Sequence, residues 1–173
     1  MTNFTVTIDP LIVARFYAAQ AHEGQTYGVL PYTHHLQEVE ATVREFFGVS
    51  DEQLLVAAWL HDVLEDTDRK PKHIAEIFGQ GVADLVVAVT DVPAENRKAR
   101  KALTLPQIRK AGDRAIALKV ADRLANVRHG GRLVEMYKRE HADFKRELLT
   151  VNIEDWTTIP LADMWRTLDS YLD

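Results

Sequence analysis

The chain has 173 residues, a formal net charge of −5 and no cysteine. Its length suits one domain with a substantial core, and no linker-like stretch divides it, so we predict a single domain over residues 1–173. The acidic balance disfavours broad attraction to nucleic acid or to an anionic membrane surface, and the missing cysteines exclude disulfides, thiolate metal sites and a cysteine nucleophile.

Apolar residues recur at helical spacing through most of the chain, between capping residues, glycines and prolines that predict where helices begin and end. The predicted helices span residues 10–22, 35–47, 51–68, 71–78, 82–90, 94–110, 114–128, 132–149 and 160–172. Gly48 is expected to end the second helix and Ser50 and Asp51 to cap the third, while residues 24–33 and 150–158 are predicted loops. Since no useful length alternates at period two, the expected fold class is all-α, a helical bundle.

The third predicted helix combines an apolar start with a cluster of charge. The stretch "AAWLHDVLEDTD", residues 57–68, sets His61 beside Asp62 and places Glu65 and Asp66 one turn later. Burying such groups is costly unless they pair with each other or bind a metal. The apolar residues before them predict that this cluster lies near the interior.

Two other segments offer groups that could join the cluster. "LKVADRLANV" places Asp122 inside an apolar helix, with Asn126 one turn later on the same face. "PYTHHL" adds His34 and His35 at the start of another helix. Histidine nitrogens and aspartate oxygens without sulfur suit Mn²⁺, Fe²⁺, Co²⁺ or Zn²⁺, so the ligands alone do not choose the metal.

These segments occur in an order that resembles a known family. "AHEGQ", "PYTHHL", "AAWLHDVLEDT", "AVTD", "NRKARK" and "KVADRLANVR" follow one another along the chain. Together they resemble the metal-dependent HD phosphohydrolase superfamily, and more narrowly its small stand-alone hydrolases of the alarmone ppGpp. The resemblance covers residues 14–128 as a motif core, and helices in 132–172 are expected to complete the domain.

The resemblance implies roles for individual residues. The implied ligands of one divalent metal, with Mn²⁺ the first choice and Zn²⁺, Co²⁺ or Fe²⁺ the alternatives, are His35 (or His34 in another register of the loop), His61, Asp62 and Asp122. The implied catalytic acidic pair is Glu65 and Asp66, in which Glu65 would take a proton from the attacking water or orient that water. The implied substrate contacts are Asn126, Arg97, Lys98, Arg100, Lys101 and Tyr27, with Lys119 and Arg123 as further cations near the phosphate.

The expected activity is hydrolysis of a nucleotide, foremost removal of the 3′-pyrophosphate of ppGpp-like alarmones. The alternatives are a nucleotidase or triphosphohydrolase acting on the 5′ phosphates of another nucleotide, and a catalytically lapsed nucleotide-binding regulatory module. Thr26 and Tyr27 stand where the alarmone hydrolases usually carry a basic pair, which predicts weaker selectivity for guanine. The expected partner is a small nucleotide rather than nucleic acid or membrane. A homo-oligomer is left open, and the absence of a signal-like N-terminus predicts the cytoplasm.

Overall fold

The computed structural model describes residues 8–47, 51–131, 133–149 and 160–172, and it confirms the all-α class. The helices are Pro10–Ala21 (α1), Thr33–Phe47 (α2), Glu52–Leu60 (α3), Val63–Asp66 (α4), Pro71–Phe78 (α5), Gln80–Val89 (α6), Arg97–Ala111 (α7), Asp113–His129 (α8), Val134–Leu148 (α9) and Leu161–Leu172 (α10). The predicted end at Gly48, the cap at Ser50 and the loop at 150–158 lie outside the described residues.

Side-chain caps fix the beginnings of several helices. Asp9 accepts a hydrogen bond from the Leu11 N–H at the start of α1, and Asp51 accepts one from the Leu54 N–H at the start of α3. The helix predicted from residue 94 begins later, at Arg97, because the side chain of Asn96 caps it instead.

The predicted loop at 24–33 contains a short antiparallel pair of strands. Thr26–Tyr27 (β1) pairs with Leu30–Pro31 (β2), and Gly28 makes the turn between them with φ of +63°. This hairpin precedes α2 and carries Tyr27 to the cluster of acidic and histidine side chains described below.

The helix predicted over residues 51–68 is interrupted in the middle of its charged motif. Helix α3 ends at Leu60, and the chain turns at His61 and Asp62, where Asp62 adopts φ −97° and ψ −7°. The imidazole of His61 contacts the carbonyl oxygen of Ala58, one of the last carbonyls of α3. The motif therefore spans a turn between two helices rather than one continuous helix.

Helix α8 lies at the centre of the fold. It packs against α2, α3, α6, α7, α9 and α10, and most of its length is buried. Polar residues are buried on it together with the apolar ones: Asp122, Arg123 and Asn126 are each at most 9% exposed. Charge at the centre of a bundle needs compensation from other elements. Among the described residues, no helix is both long enough and apolar enough to span a bilayer.

Candidate metal centre and its pocket

Four buried side chains from three parts of the chain converge beside α8. The Nε2 atom of His35, on α2, lies 3.4 Å from Asp62 Oδ2 and 3.3 Å from Asp122 Oδ1. The Nε2 atom of His61 lies 3.0 Å and 3.8 Å from the same two oxygens. Two imidazole nitrogens and two carboxylate oxygens thus face a common centre.

The donor atoms of this cluster fit a divalent metal. His61 Nδ1 lies 2.8 Å from the Ala58 carbonyl oxygen, which can only accept, so Nδ1 carries the proton and a neutral ring presents its Nε2 lone pair to the carboxylates. Within the described part of the chain, that buried Nε2 has no hydrogen-bond partner. A lone pair facing carboxylate oxygens is repulsive unless a cation lies between them. The arrangement therefore forms a site suited to a metal ion.

The electrostatics of the cluster also favour positive charge at its centre. Burial lowers the pKa of His35, but hydrogen bonds with Asp122 and Asp62 outweigh it and raise that pKa to about 10. Burial alone would raise the pKa of Asp62 and Asp122. Instead both are lowered, that of Asp62 chiefly by positive charge on the His61 ring, which a proton supplies when no metal is bound, and that of Asp122 chiefly by Lys119. The carboxylates are thus held ionised, as metal ligands must be.

The two adjacent histidines of α2 occupy different environments. The side chain of His35 is 3% exposed and points into the cluster, whereas that of His34 is 37% exposed and lies 4.0 Å from Glu38. Of the two registers left open by the sequence, the geometry favours His35 as the ligand.

Replacing the two histidines separately provides a matched test. We expect His35→Ala to weaken Mn²⁺ binding by about a hundredfold or more, since loss of an outer partner alone already costs 10- to 100-fold. His34→Ala should bind Mn²⁺ as the unmodified protein does. Metal content after dialysis measures both, and loss of metal only in His34→Ala would reverse the assignment.

A cavity of about 300 Å³ opens beside the cluster. Its walls include Glu65, Asp66 and Asp91 on the acidic side. Glu65 Oε1 accepts a hydrogen bond of 2.5 Å from the Asp91 N–H, and Tyr32 Oη lies 2.7 Å from Asp62 Oδ2 and 3.0 Å from Asp66 Oδ2. Glu65 and Asp66 are exposed at the cavity, but partial loss of water around them still raises the pKa of each carboxyl. The charge of Lys119 opposes the rise for Glu65, and the charge of Asp62 adds to it for Asp66.

Another part of the cavity lining, here called the cationic wall, is positively charged. The positively charged residues that line it are Arg97, Lys101, Lys119 and Arg123. Lys119 Nζ lies 3.1 Å from Asp122 Oδ2 and so joins this wall to the candidate metal cluster. Of the other cations predicted from "NRKARK", Lys98 lines a neighbouring groove and Arg100 lies 3.8 Å from Asp91.

Asn126 connects the hairpin to the cluster. Its Nδ2 donates 2.6 Å to Asp122 Oδ1, and its Oδ1 accepts a hydrogen bond of 2.8 Å from the Tyr27 hydroxyl. The ring of Tyr27 lies 4.9 Å from that of His35 and 4.3 Å from that of His129. Asn126 and Tyr27 therefore help to hold Asp122 in place, besides lining the cavity.

Sequence reasoning missed the contribution of α9 to the site. Tyr137 lines the cavity, and Glu140 lies behind the cationic wall and pairs with it. Nothing in "VEMYKREHADF" separates these residues from an ordinary amphipathic surface helix. Asp91 lies in "AVTD", one of the segments that carry the family resemblance, but the sequence alone assigned no role to Asp91.

Comparison with known proteins identifies related sequences and folds. The model of a family described as HD domain matches residues 14–152. The guanosine-3′,5′-bis(diphosphate) 3′-pyrophosphohydrolase MESH1 of Drosophila melanogaster is 38% identical over 98 residues, which span 57% of this chain and 55% of that protein. The human protein of the same name is 33% identical over 134 residues, spanning 76% of this chain and 75% of its own.

A solved structure supports the same relationship at the level of the fold. It is described as a metazoan orthologue of SpoT that hydrolyses ppGpp and plays a role in starvation responses. The two chains superpose with a TM-score of 0.74 at 27% identity, covering 97% of this chain and 96% of that one.

Proposed function

The chain belongs to the HD domain family, and from that premise we propose that it is a metal-dependent hydrolase that removes the 3′-pyrophosphate from ppGpp-like nucleotides. The names of the Drosophila and human relatives support this activity and substrate class. The observation that carries the proposal is the cavity itself, which is lined both by donors suited to a metal and by the cationic wall. A substrate phosphate between them would meet both.

We propose His35, His61, Asp62 and Asp122 as the ligands and Mn²⁺ as the ion. Manganese accepts mixed nitrogen and oxygen ligation, and the oxygens of Asp62 and Asp122 are kept ionised by their neighbours. A divalent ion in such a site lowers the pKa of a water and polarises a phosphoryl oxygen.

Glu65 is the proposed proton acceptor. Its carboxylate lies at the cavity and is oriented by the Asp91 N–H. Its raised pKa makes it a better proton acceptor than an ordinary glutamate. Asp66, oriented by Tyr32, lies beside it and can orient the attacking water or pass the proton onward.

The cationic wall is the proposed binding surface for the phosphates. Attack at phosphorus builds negative charge on the non-bridging oxygens, and fixed cations stabilise that charge without having to reorganise. Arg97, Lys101 and Arg123 supply donors for these oxygens, and Lys119 lies between them and the acidic cluster. Asn126 and Tyr27 line the same cavity and are proposed to contact the nucleoside.

A product screen tests the proposed function. Purified protein with Mn²⁺ is incubated with ppGpp, its adenine counterpart, deoxynucleoside triphosphates and nucleoside monophosphates. We expect pyrophosphate and a 5′-diphosphate from ppGpp. Orthophosphate or triphosphate with a nucleoside would instead identify hydrolysis at the 5′ end, and binding without turnover would identify a regulatory module.

The proposed phosphate contact of Arg97 can be tested against a cation on the same helix. We expect Arg97→Gln to raise KM about tenfold while leaving the metal bound, because a charge-assisted hydrogen bond to phosphate is lost. Lys110→Gln neutralises an exposed cation in the last turn of α7 and should leave KM unchanged. Steady-state kinetics measure both, and equal KM values for the two variants would remove Arg97 from the phosphate site.

A further inference from the structure

One carboxylate behind the cationic wall is shared by several of its cations. Arg97 donates to Glu140 through two nitrogens, Nε to Oε1 at 2.7 Å and Nη2 to Oε2 at 3.1 Å. Arg123 Nη2 donates to the same Oε2 at 3.2 Å, and Lys101 Nζ lies 3.8 Å from it. In the described ranges, no other carboxylate oxygen lies within 4.0 Å of a cationic nitrogen of these three residues.

Glu140 holds these cations from the side away from the reaction. Arg97, Lys101 and Arg123 line the cavity beside the candidate metal cluster, and Glu140 does not. Glu140 lines instead a groove between α7 and α9, which Arg97 and Lys101 also border. Arg123 is further fixed by aromatic rings, with its guanidinium carbon 3.8 Å from the ring centre of Phe144 and 4.8 Å from that of Tyr137.

The charge around Glu140 is incompletely balanced. Three cations surround a single carboxylate, and Arg123 is 3% exposed. Its Nη1 is buried and, within the part of the chain described, has no hydrogen-bond partner. A buried cation with an unpartnered donor is costly unless an anion completes the site. A phosphate in the cavity would supply that charge and a partner for the free nitrogen.

We propose that Glu140 is a positioning residue that holds Arg97, Lys101 and Arg123 in one arrangement complementary to a phosphate group. The inference rests on the proposed function, because the phosphate is that of the proposed substrate. Glu140 itself does not touch the substrate. It offsets the repulsion among the three like charges before the phosphate binds.

Replacing Glu140 should change anion affinity in opposite directions, depending on whether Glu140 positions the cations or acts only through its charge. Glu140→Gln adds one positive charge to the site, so if Glu140 acted only through its field, anions would bind more tightly. If it positions the cations, anions bind more weakly, because Arg97, Lys101 and Arg123 repel one another and lose their common partner. The sign of the change therefore distinguishes the two roles.

A second readout is the protonation of Lys101. The charged groups facing it are Arg97 on its own helix, Lys119 and Arg123 on α8, and Glu140 on α9. Burial and the three cations lower the pKa of Lys101 to about 8, and Glu140 alone of these groups raises it. Without Glu140 the pKa of Lys101 should fall below its value in the unmodified protein. As pH rises, the variant should therefore begin to lose anion affinity at a lower pH than the unmodified protein does.

The test is a calorimetric titration of inorganic pyrophosphate into Mn²⁺-loaded protein freed of excess metal, repeated between pH 6.5 and about 8.5. We expect Glu140→Gln to bind pyrophosphate roughly tenfold more weakly at pH 7.5, the low end of what a charge-assisted hydrogen bond contributes. The ratio of the affinity of the unmodified protein to that of the variant should increase with pH. Because both proteins are compared at the same pH, the titration of pyrophosphate itself cancels. Metal content should not change.

Glu147→Gln is the matched control. Glu147 lies on the same helix and pairs with Arg109 and Arg146 rather than with the three cations, so its loss removes an ion pair and leaves the cationic wall intact. We expect unchanged affinity. Equal or tighter binding of pyrophosphate by Glu140→Gln overturns the inference. If that variant does not fold, Glu140→Asp decides the matter, because its shorter side chain cannot reach all three cations and unchanged affinity would again overturn it.

The outcomes separate this inference from the proposed function. Weaker pyrophosphate binding by Glu140→Gln, without turnover of any nucleotide by the unmodified protein, would leave Glu140 as a positioning residue in a protein that is not the proposed hydrolase. If Glu140→Gln hydrolyses ppGpp and binds pyrophosphate as the unmodified protein does, the proposed enzymatic activity stands and the positioning role of Glu140 is rejected.

Discussion

Asp122→Ala is expected to lose its metal and, with it, essentially all hydrolysis. Asp122 Oδ1 lies within 3.8 Å of the Nε2 atoms of both clustered histidines, and its Oδ2 lies 3.1 Å from Lys119 Nζ. Removing the carboxylate takes away one of two negative charges facing the ion and leaves the half-buried Lys119 without its counter-charge. We expect Mn²⁺ affinity to fall at least about a hundredfold.

Asparagine at the same position separates ligation from packing. Asp122→Asn keeps the shape of the side chain, so a stable, folded variant without metal attributes the loss to the missing charge. Asp113→Asn, at the start of the same helix, is the control and should retain full metal content. The measurements are thermal unfolding and metal content after dialysis. Full occupancy in Asp122→Ala would exclude Asp122 from the ligand set.

Glu65→Gln is expected to keep the metal and lose catalysis. The amide oxygen of glutamine can still accept the Asp91 N–H, so the local geometry should persist, but the amide cannot take a proton. The loss in kcat should be about 10²- to 10⁴-fold, the range for a general acid–base group. Mn²⁺ binding and KM should change little, because the group acts on the water rather than on the ion or the phosphate.

The control for Glu65 is an acidic residue just beyond the same motif. Asp68 is exposed after the end of α4, and Asp68→Asn should retain normal kcat. Kinetics and metal content are measured on both variants. If Glu65→Gln lost the metal together with activity, Glu65 would be a ligand and the proposed division of labour would be wrong.

The sequence indicated which residues could perform chemistry and how they are grouped along the chain. His61, Asp62 and Asp122 stood out because charged side chains in apolar helical segments are costly, and that cost can be read without a structure. Helical periodicity and capping residues predicted most helices to within a few residues, since those signals act over neighbouring positions. The order of the motifs was enough to suggest the family.

The tertiary structure decided what depends on contacts between distant segments. It placed His35 rather than His34 beside Asp62 and Asp122, because the direction in which α2 faces α8 is set by packing across the bundle. It also broke the predicted helix at the central His-Asp pair.

The clearest example of what required the fold is Glu140. In sequence it belongs to a highly charged helix and is indistinguishable from its exposed neighbours. Only the packing of α9 against α7 and α8 brings it within reach of Arg97 and Arg123, which are 43 and 17 positions away. Helical periodicity reports which face of a segment is apolar, because that depends on local spacing. Which charge meets which depends on how the helices pack, and one sequence read alone does not contain that pairing.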